Sequence, residues 1–157
     1  MRVREGGRAR LVRQALLLLC ILLTVAFIWS NSMRNAVESD GQSGFWKEIF
    51  RQIFNVEMQP FKFIYENLRK TAHFLEFALL GGEVLCFLLG YCRRVTSLAL
   101  GTGVCLSVAA IDETIQYFVP GRVAAVSDML LDGAGALFGI LLCLGLSLLF
   151  FRLFKKK

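Results

Sequence analysis

The chain has 157 residues, of which 56% are hydrophobic and only 19% charged, with a net charge of +6. An average soluble domain carries about 25% charged residues, and disorder requires low hydrophobicity. The composition therefore excludes a disordered chain, a disulfide-framework miniprotein and an ordinary soluble enzyme.

The apolar residues come in four blocks, and the first is Leu11–Trp29. A helix crosses a bilayer with about 17–25 apolar residues, so this block is long enough to span. Arg2, Arg4, Arg8, Arg10 and Arg13 precede it. A cleaved signal peptide is the competing reading, with Ser30-Asn31-Ser32 as a weak small-x-small site.

The connection 30–71 is not a plain linker. Gly41, Ser43 and Gly44 punctuate it first. Phe45, Trp46, Ile49, Phe50, Ile53 and Phe54 then fall on one face of a helix, opposite Lys47, Glu48, Arg51 and Gln52. This predicts an amphipathic helix over 45–58, broken by Pro60, with a shorter helical pattern over Phe61–Lys70. Such a helix lies in the membrane interface, either as an anchor or as a lid or lipid-access surface over the bundle.

The other apolar blocks are Ala72–Leu89, Val95–Ile111 and Met129–Phe151. With their polar ends included, the spans are 11–29, 72–91, 95–116 and 127–151. Arg93 and Arg94 separate the second and third, and Arg152, Lys155, Lys156 and Lys157 follow the fourth. The positive-inside rule then puts both termini in the cytoplasm and 30–71 and 112–128 outside. The long outer loop balances its basic residues with Glu38, Asp40, Glu48, Glu57 and Glu66. The expected fold is an all-α membrane protein: one domain over 1–157, with four transmembrane helices in a bundle and an amphipathic outer interfacial helix. The basic ends suit anionic headgroups, and no aromatic-interleaved basic patch indicates nucleic acid. Cys20, Cys86, Cys92, Cys105 and Cys143 are odd in number and lack zinc spacing, so they read as small apolar residues.

Ionisable side chains inside spans cost about 2.5–3.5 kcal/mol each on insertion scales and persist when paired, hydrated or used. Lys70, His73 and Glu76 recur every third residue at the start of span two, which reads as one helix face, and Glu83 continues that stripe inward. Asp112, Glu113 and Gln116 close span three; Asp112 and Gln116 share a face with Gly101 and Cys105. Asp128, Asp132, Gly135 and Gly139 form one stripe on span four, whose GxxxG permits close helix approach. Val119-Pro120-Gly121-Arg122 makes a tight turn between spans three and four. The topology brings these groups to one depth beneath the outer leaflet, as a polar pocket. Interhelical bonds alone, at about 0.6 kcal/mol each, account for one or two such residues but poorly for five carboxylates, a histidine and two cations. Glu83 alone reads as a paired carboxyl of the bundle.

In that pocket His73, the sole histidine, with Glu76, Asp112 and Glu113 form the candidate proton-transfer set. Lys70, Gln116, Arg122, Asp128 and Asp132 form the candidate substrate-binding set, with Arg122 and Lys70 suited to phosphate. One histidine among carboxylates suits Mg²⁺, Mn²⁺ or Ca²⁺ better than structural zinc, but the spacing matches no metal motif. No metal site, cofactor or reaction is therefore assigned. A serine elbow, P-loop, Rossmann fingerprint and HExxH are all absent from the sequence.

Several elements resemble the VanZ-like family of small bacterial membrane proteins. They are Trp29-Ser30-Asn31-Ser32, Lys70-Thr71-Ala72-His73-Phe74-Leu75-Glu76-Phe77, Asp112-Glu113-Thr114-Ile115-Gln116, Pro120-Gly121-Arg122, and Ser127-Asp128 through Asp132-Gly133-Ala134-Gly135. They occur in the family's order over roughly residues 11 to 145. The chain departs at Asp132, where the family commonly carries asparagine. The resemblance implies a plasma-membrane protein of Gram-positive type. The name-giving member is associated with low-level resistance to teicoplanin, which acts at the outer membrane face. The implied partner is a membrane lipid or lipid-linked glycan of the cell envelope. A small oligomeric transporter and a non-catalytic interaction protein are the alternatives.

Overall fold

The computed structural model describes residues 6–56, 60–122 and 124–154. Arg2, Arg4, Glu57, Met58 and Lys155–Lys157, on which parts of the sequence reading fall, lie outside the described residues. The described chain is helical throughout, without strands: α1 (Gly7–Ser32), α2 (Ala36–Ile53), α3 (Phe61–Glu66), α4 (Leu68–Leu88), α5 (Arg94–Phe118) and α6 (Val126–Phe154). Four stretches are long and apolar enough to cross a membrane: Gly7–Ser32, Leu68–Leu88, Arg94–Phe118 and Val126–Phe150. The shortest, α4, has 21 residues and so rises about 30 Å, the thickness of a bilayer's hydrocarbon core. The protein is therefore an all-helical, multi-pass membrane protein.

The helices alternate in direction. Arg10 near the start of α1 donates to the Gly90 carbonyl just past the end of α4, while Asn31 at the end of α1 meets Glu76 near the start of α4. Both described ends of the chain, and the α4–α5 turn with Arg93 and Arg94, thus lie at one end of the bundle. The α5–α6 turn lies at the other.

Within the bundle α4 is central, packing most extensively on α6 and also on α1 and α5. The α4–α6 contact is backbone against backbone. A Cβ on Gly135 or Gly139 of α6 would collide with the carbonyl oxygen of Phe74 or Ala78, and one on Gly81 of α4 with that of Ala136. Glycine at these positions lets the helices approach to this distance, as the GxxxG stripe predicts. Ile28, Phe77, Leu80, Cys105 and Ala109 are fully buried in the core beneath. Many large side chains, among them Leu22, Leu79 and Leu146 at 58% exposure, point outward, which suits a surface solvated by acyl chains.

Several boundaries depart from expectation: the amphipathic helix ends at Ile53 rather than at 58, and span two already begins at Leu68. Span two ends at Leu88, and Leu89–Cys92 form the turn, rather than the helix running to 91. The amphipathic helix begins at Ala36 and passes straight through Gly41, Ser43 and Gly44. A glycine in a helix interior costs only about 1 kcal/mol relative to alanine, and no proline is present to stop the helix. Beyond it, Phe54 stacks on Phe61 at 4.9 Å and meets Phe50 at a tilt of 35°, with 4.7 Å between centroids. On the polar face of α2 a hydrogen bond from Arg51 holds the Glu48 carboxyl below the usual carboxylate range.

The α5–α6 connection follows from two residues. Val119 precedes a proline and is extended, at φ −91° and ψ 126°, which ends α5. Gly121 has φ 77°, and Arg122 N–H donates to the Val119 carbonyl at 3.2 Å. This is a type II turn, with proline first and glycine at the position needing positive φ.

Candidate functional site

The polar residues predicted from spans two, three and four gather at the end of the bundle that carries this turn. A cavity of about 440 Å³ opens there, and its lining includes Lys70, His73, Glu113, Gln116, Arg122, Asp128 and Asp132. Beside it lies an apolar groove of about 580 Å³, walled by Trp46, Ile49, Phe50, Ile53 and Phe54 of α2 and the segment after it, and by Leu75 and Glu76 of α4. The two spaces are contiguous: Ser43, Leu68, Arg69, His73 and Arg122 line both. The apolar face of α2 thus forms one side of a groove that adjoins a polar chamber.

The every-third-residue pattern on α4 does not keep one face. Each residue turns a helix by about 100°, so a three-residue step falls about 60° short of a full turn, and two steps drift by about 120°. Lys70 accordingly leans towards α6, with Nζ 4.0 Å from Asp128, and its side chain is 61% exposed. Glu76 leans towards α1, where Asn31 Nδ2 donates to its Oε1 at 3.3 Å. His73 sits between them and faces both spaces. Its nearest carboxylate is Asp132, with 3.8 Å between Nδ1 and Oδ1, rather than Glu76.

Beneath the chamber, Asp112 is wholly buried and Asp132 is 2% exposed. Gln116 Nε2 donates to Asp112 Oδ2 at 2.8 Å and to Ser32 Oγ at 3.4 Å, while Asp112 Oδ1 is buried without a hydrogen-bond partner among the described residues. One donor atom each from His73, Asp112 and Asp132 lie within 4.8 Å of one another. At that separation two full negative charges repel by about 3–4 kcal/mol at an effective dielectric of about 20. The fold thus holds the two carboxyl groups where both can be charged only at that cost.

A family model described as VanZ/LLP1 matches residues 16–152. The chain belongs to the VanZ/LLP1 family. Neither the curated proteins nor the solved structures include a match.

Two of this VanZ/LLP1 chain's candidate residues have structural duties. Glu113 Oε2 accepts the Ala125 N–H at 2.9 Å and so anchors the start of α6. Arg122, expected to hold a phosphate, donates Nε to the Arg34 carbonyl at 3.0 Å and Nη2 to the Asn31 carbonyl at 3.1 Å. It ties the end of α1 to the α5–α6 turn. Arg122→Ala is expected to cost about 2–3 kcal/mol, because both bonds are charge-assisted. Arg122→Lys recovers little of this, lacking the planar fork. Thermal unfolding in detergent reads the loss, and an unchanged midpoint would refute the clamp.

Sequence reasoning passed over Arg69. It lines both spaces, and its Nη2 donates to Gln116 Oε1 at 3.4 Å. The spacing 69, 73, 76 is the ordinary one-face signature of a helix, steps of four and three. Ser32 and Asn31 at the end of α1 complete the polar network.

Proposed function

We propose that the protein binds an anionic lipid or lipid-linked cell-envelope component. Its phosphate sits in the polar chamber and an acyl chain lies in the adjoining groove. The observation that carries this reading is the shared wall: the one histidine and Arg69 face a polar cavity and an apolar groove at once. Amphiphiles require that adjacency, and a soluble metabolite does not. Arg69 supplies a guanidinium for the phosphate, and His73 stands where it could take or give a proton.

The positive-inside rule favours cytoplasmic placement of both termini, and the family resemblance implies a bacterial plasma membrane. The chamber then faces outward, towards lipid-linked wall precursors, the leaflet at which teicoplanin acts. A contribution to glycopeptide resistance follows if such precursors are the ligand. A transport path finds less support, because Phe77, Leu80, Cys105 and Ala109 pack without exposure below the chamber. That packing leaves Glu83 outside any continuous polar track.

The test is lipid binding by the purified chain in nanodiscs, read by native mass spectrometry. Phosphatidic acid is expected to bind about tenfold more tightly than phosphatidylcholine. Ile49→Asp in the groove wall should lower affinity for both by about tenfold, by placing a charge against the acyl chain. Equal affinity for the two lipids, or an Ile49→Asp chain that binds as well as the original, would overturn the reading.

A further inference from the structure

His73, Asp112 and Asp132 come from α4, α5 and α6 and are separated by 39 and 20 residues in sequence, so no spacing motif could reveal them as a set. We infer that these three side chains form a divalent-cation site, of the Mn²⁺ or Mg²⁺ type, at the floor of the polar chamber. Their donor atoms can be chosen within 4.8 Å of one another. A cation that bonds oxygen at about 2.0–2.5 Å holds opposite ligands about 4–5 Å apart, so one ion can reach all three.

The state of the carboxylates points to such an ion. Asp132 is 2% exposed and accepts no hydrogen bond among the described residues; the closest group that can carry positive charge is His73, at 3.8 Å. Asp112 is fully buried, and its Oδ1 has no hydrogen-bond partner among the described residues. Neither aspartate makes an ion pair with a described lysine or arginine. A buried carboxylate that stays charged is paired or coordinates a metal. Gln116 fixes the other oxygen of Asp112 at 2.8 Å, as hydrogen bonds to ligating carboxylates commonly do.

The donor set chooses the ion. Two carboxylates and one imidazole suit a hard to borderline divalent cation, whereas structural zinc is closed by four ligands rich in cysteine or histidine. Three protein ligands leave coordination positions open. His73 and Asp132 line the chamber, so those positions face it and an ion can enter from it. That a lipid phosphate oxygen fills one of them rests on the lipid-binding reading above; the ion site itself does not.

The test uses Mn²⁺ alone, titrated into the full chain in phosphatidylcholine nanodiscs and followed by electron paramagnetic resonance. One saturable site per chain is expected, with a nitrogen coupling from His73. Asp132→Asn and Asp112→Asn should each weaken binding at least tenfold, and His73→Gln should remove the nitrogen coupling. Saturating Mn²⁺ should also raise the unfolding midpoint of the original chain and not that of Asp132→Asn, since an ion that binds the folded state stabilises it. The coupling is read on the unsubstituted protein, so the result does not depend on a variant folding. Absence of saturable Mn²⁺ binding, or binding without nitrogen coupling, overturns the ion site. Unchanged affinity in a folded Asp132→Asn does so too. Loss of the ion site with phosphatidic-acid preference intact leaves the lipid reading standing. A sound ion site with no lipid preference sinks that reading and keeps this one.

Discussion

Gly139→Val is expected to lower the stability of the folded bundle by about 2–3 kcal/mol, the upper part of the range for overpacking a tight interface. A Cβ at this position falls on the carbonyl oxygen of Ala78, a backbone atom that cannot swing aside, so one helix must move. In a bilayer the lipid tails are as apolar as leucine, and helix association depends on close packing rather than on the hydrophobic effect. Separating α4 from α6 therefore removes most of what joins them. The movement also reaches the chamber. Gly135 meets the Phe74 carbonyl, next to His73, and lies less than one helical turn from Asp132. Gly145 on the same helix is the control, because a Cβ there meets nothing within 4 Å. Gly145→Val carries the same change in helix propensity and should shift stability by less than about 0.5 kcal/mol. Reversible unfolding in mixed micelles compares the two. Equal effects would show that the glycine stripe is not a packing device.

Much of this architecture was legible because membrane solvation writes it in single-residue terms. A bilayer demands uninterrupted apolar helices, so composition alone located the four spans to within a few residues at most ends. The type II turn was legible for a similar reason: proline and glycine each admit few backbone conformations at Val119-Pro120-Gly121-Arg122. The collection of polar residues at one end followed from alternating helix direction. Quantities that depend on rotation and distance between helices were not legible. A three-residue spacing looked like one face, yet it carries Lys70 and Glu76 to opposite flanks of His73. Arg122 looked like a phosphate ligand, because nothing in the sequence reports that the carbonyls of Asn31 and Arg34 come within its reach. The meeting of His73, Asp112 and Asp132 is a product of three helix rotations at once. The passage of α2 through Gly41 and Gly44 shows the converse: local preferences of about 1 kcal/mol per residue do not decide a helix boundary by themselves.

Arg69 and Lys70 are adjacent, equally charged, and predicted to differ sharply. Arg69→Ala should weaken phosphatidic-acid binding by about 10–100-fold, the loss of a charge-assisted bond worth about 1.5–3 kcal/mol. Lys70→Ala should weaken it by no more than about twofold. The difference comes from position on α4. Arg69 stands at the wall shared by chamber and groove, with a single long bond of 3.4 Å to Gln116 among the described residues, so its remaining donors can turn to a ligand. Lys70 is 61% exposed at the rim, 4.0 Å from Asp128, where solvent-exposed pairs contribute about 0–1 kcal/mol. Arg69→Lys separates charge from shape: it should keep part of the salt-sensitive attraction and lose the forked contact, falling between the original chain and Arg69→Ala. Binding isotherms at low and high salt resolve the three variants. If Lys70→Ala proves the more damaging, the phosphate is held at the outer rim between α4 and α6, and the shared wall is not where the headgroup docks.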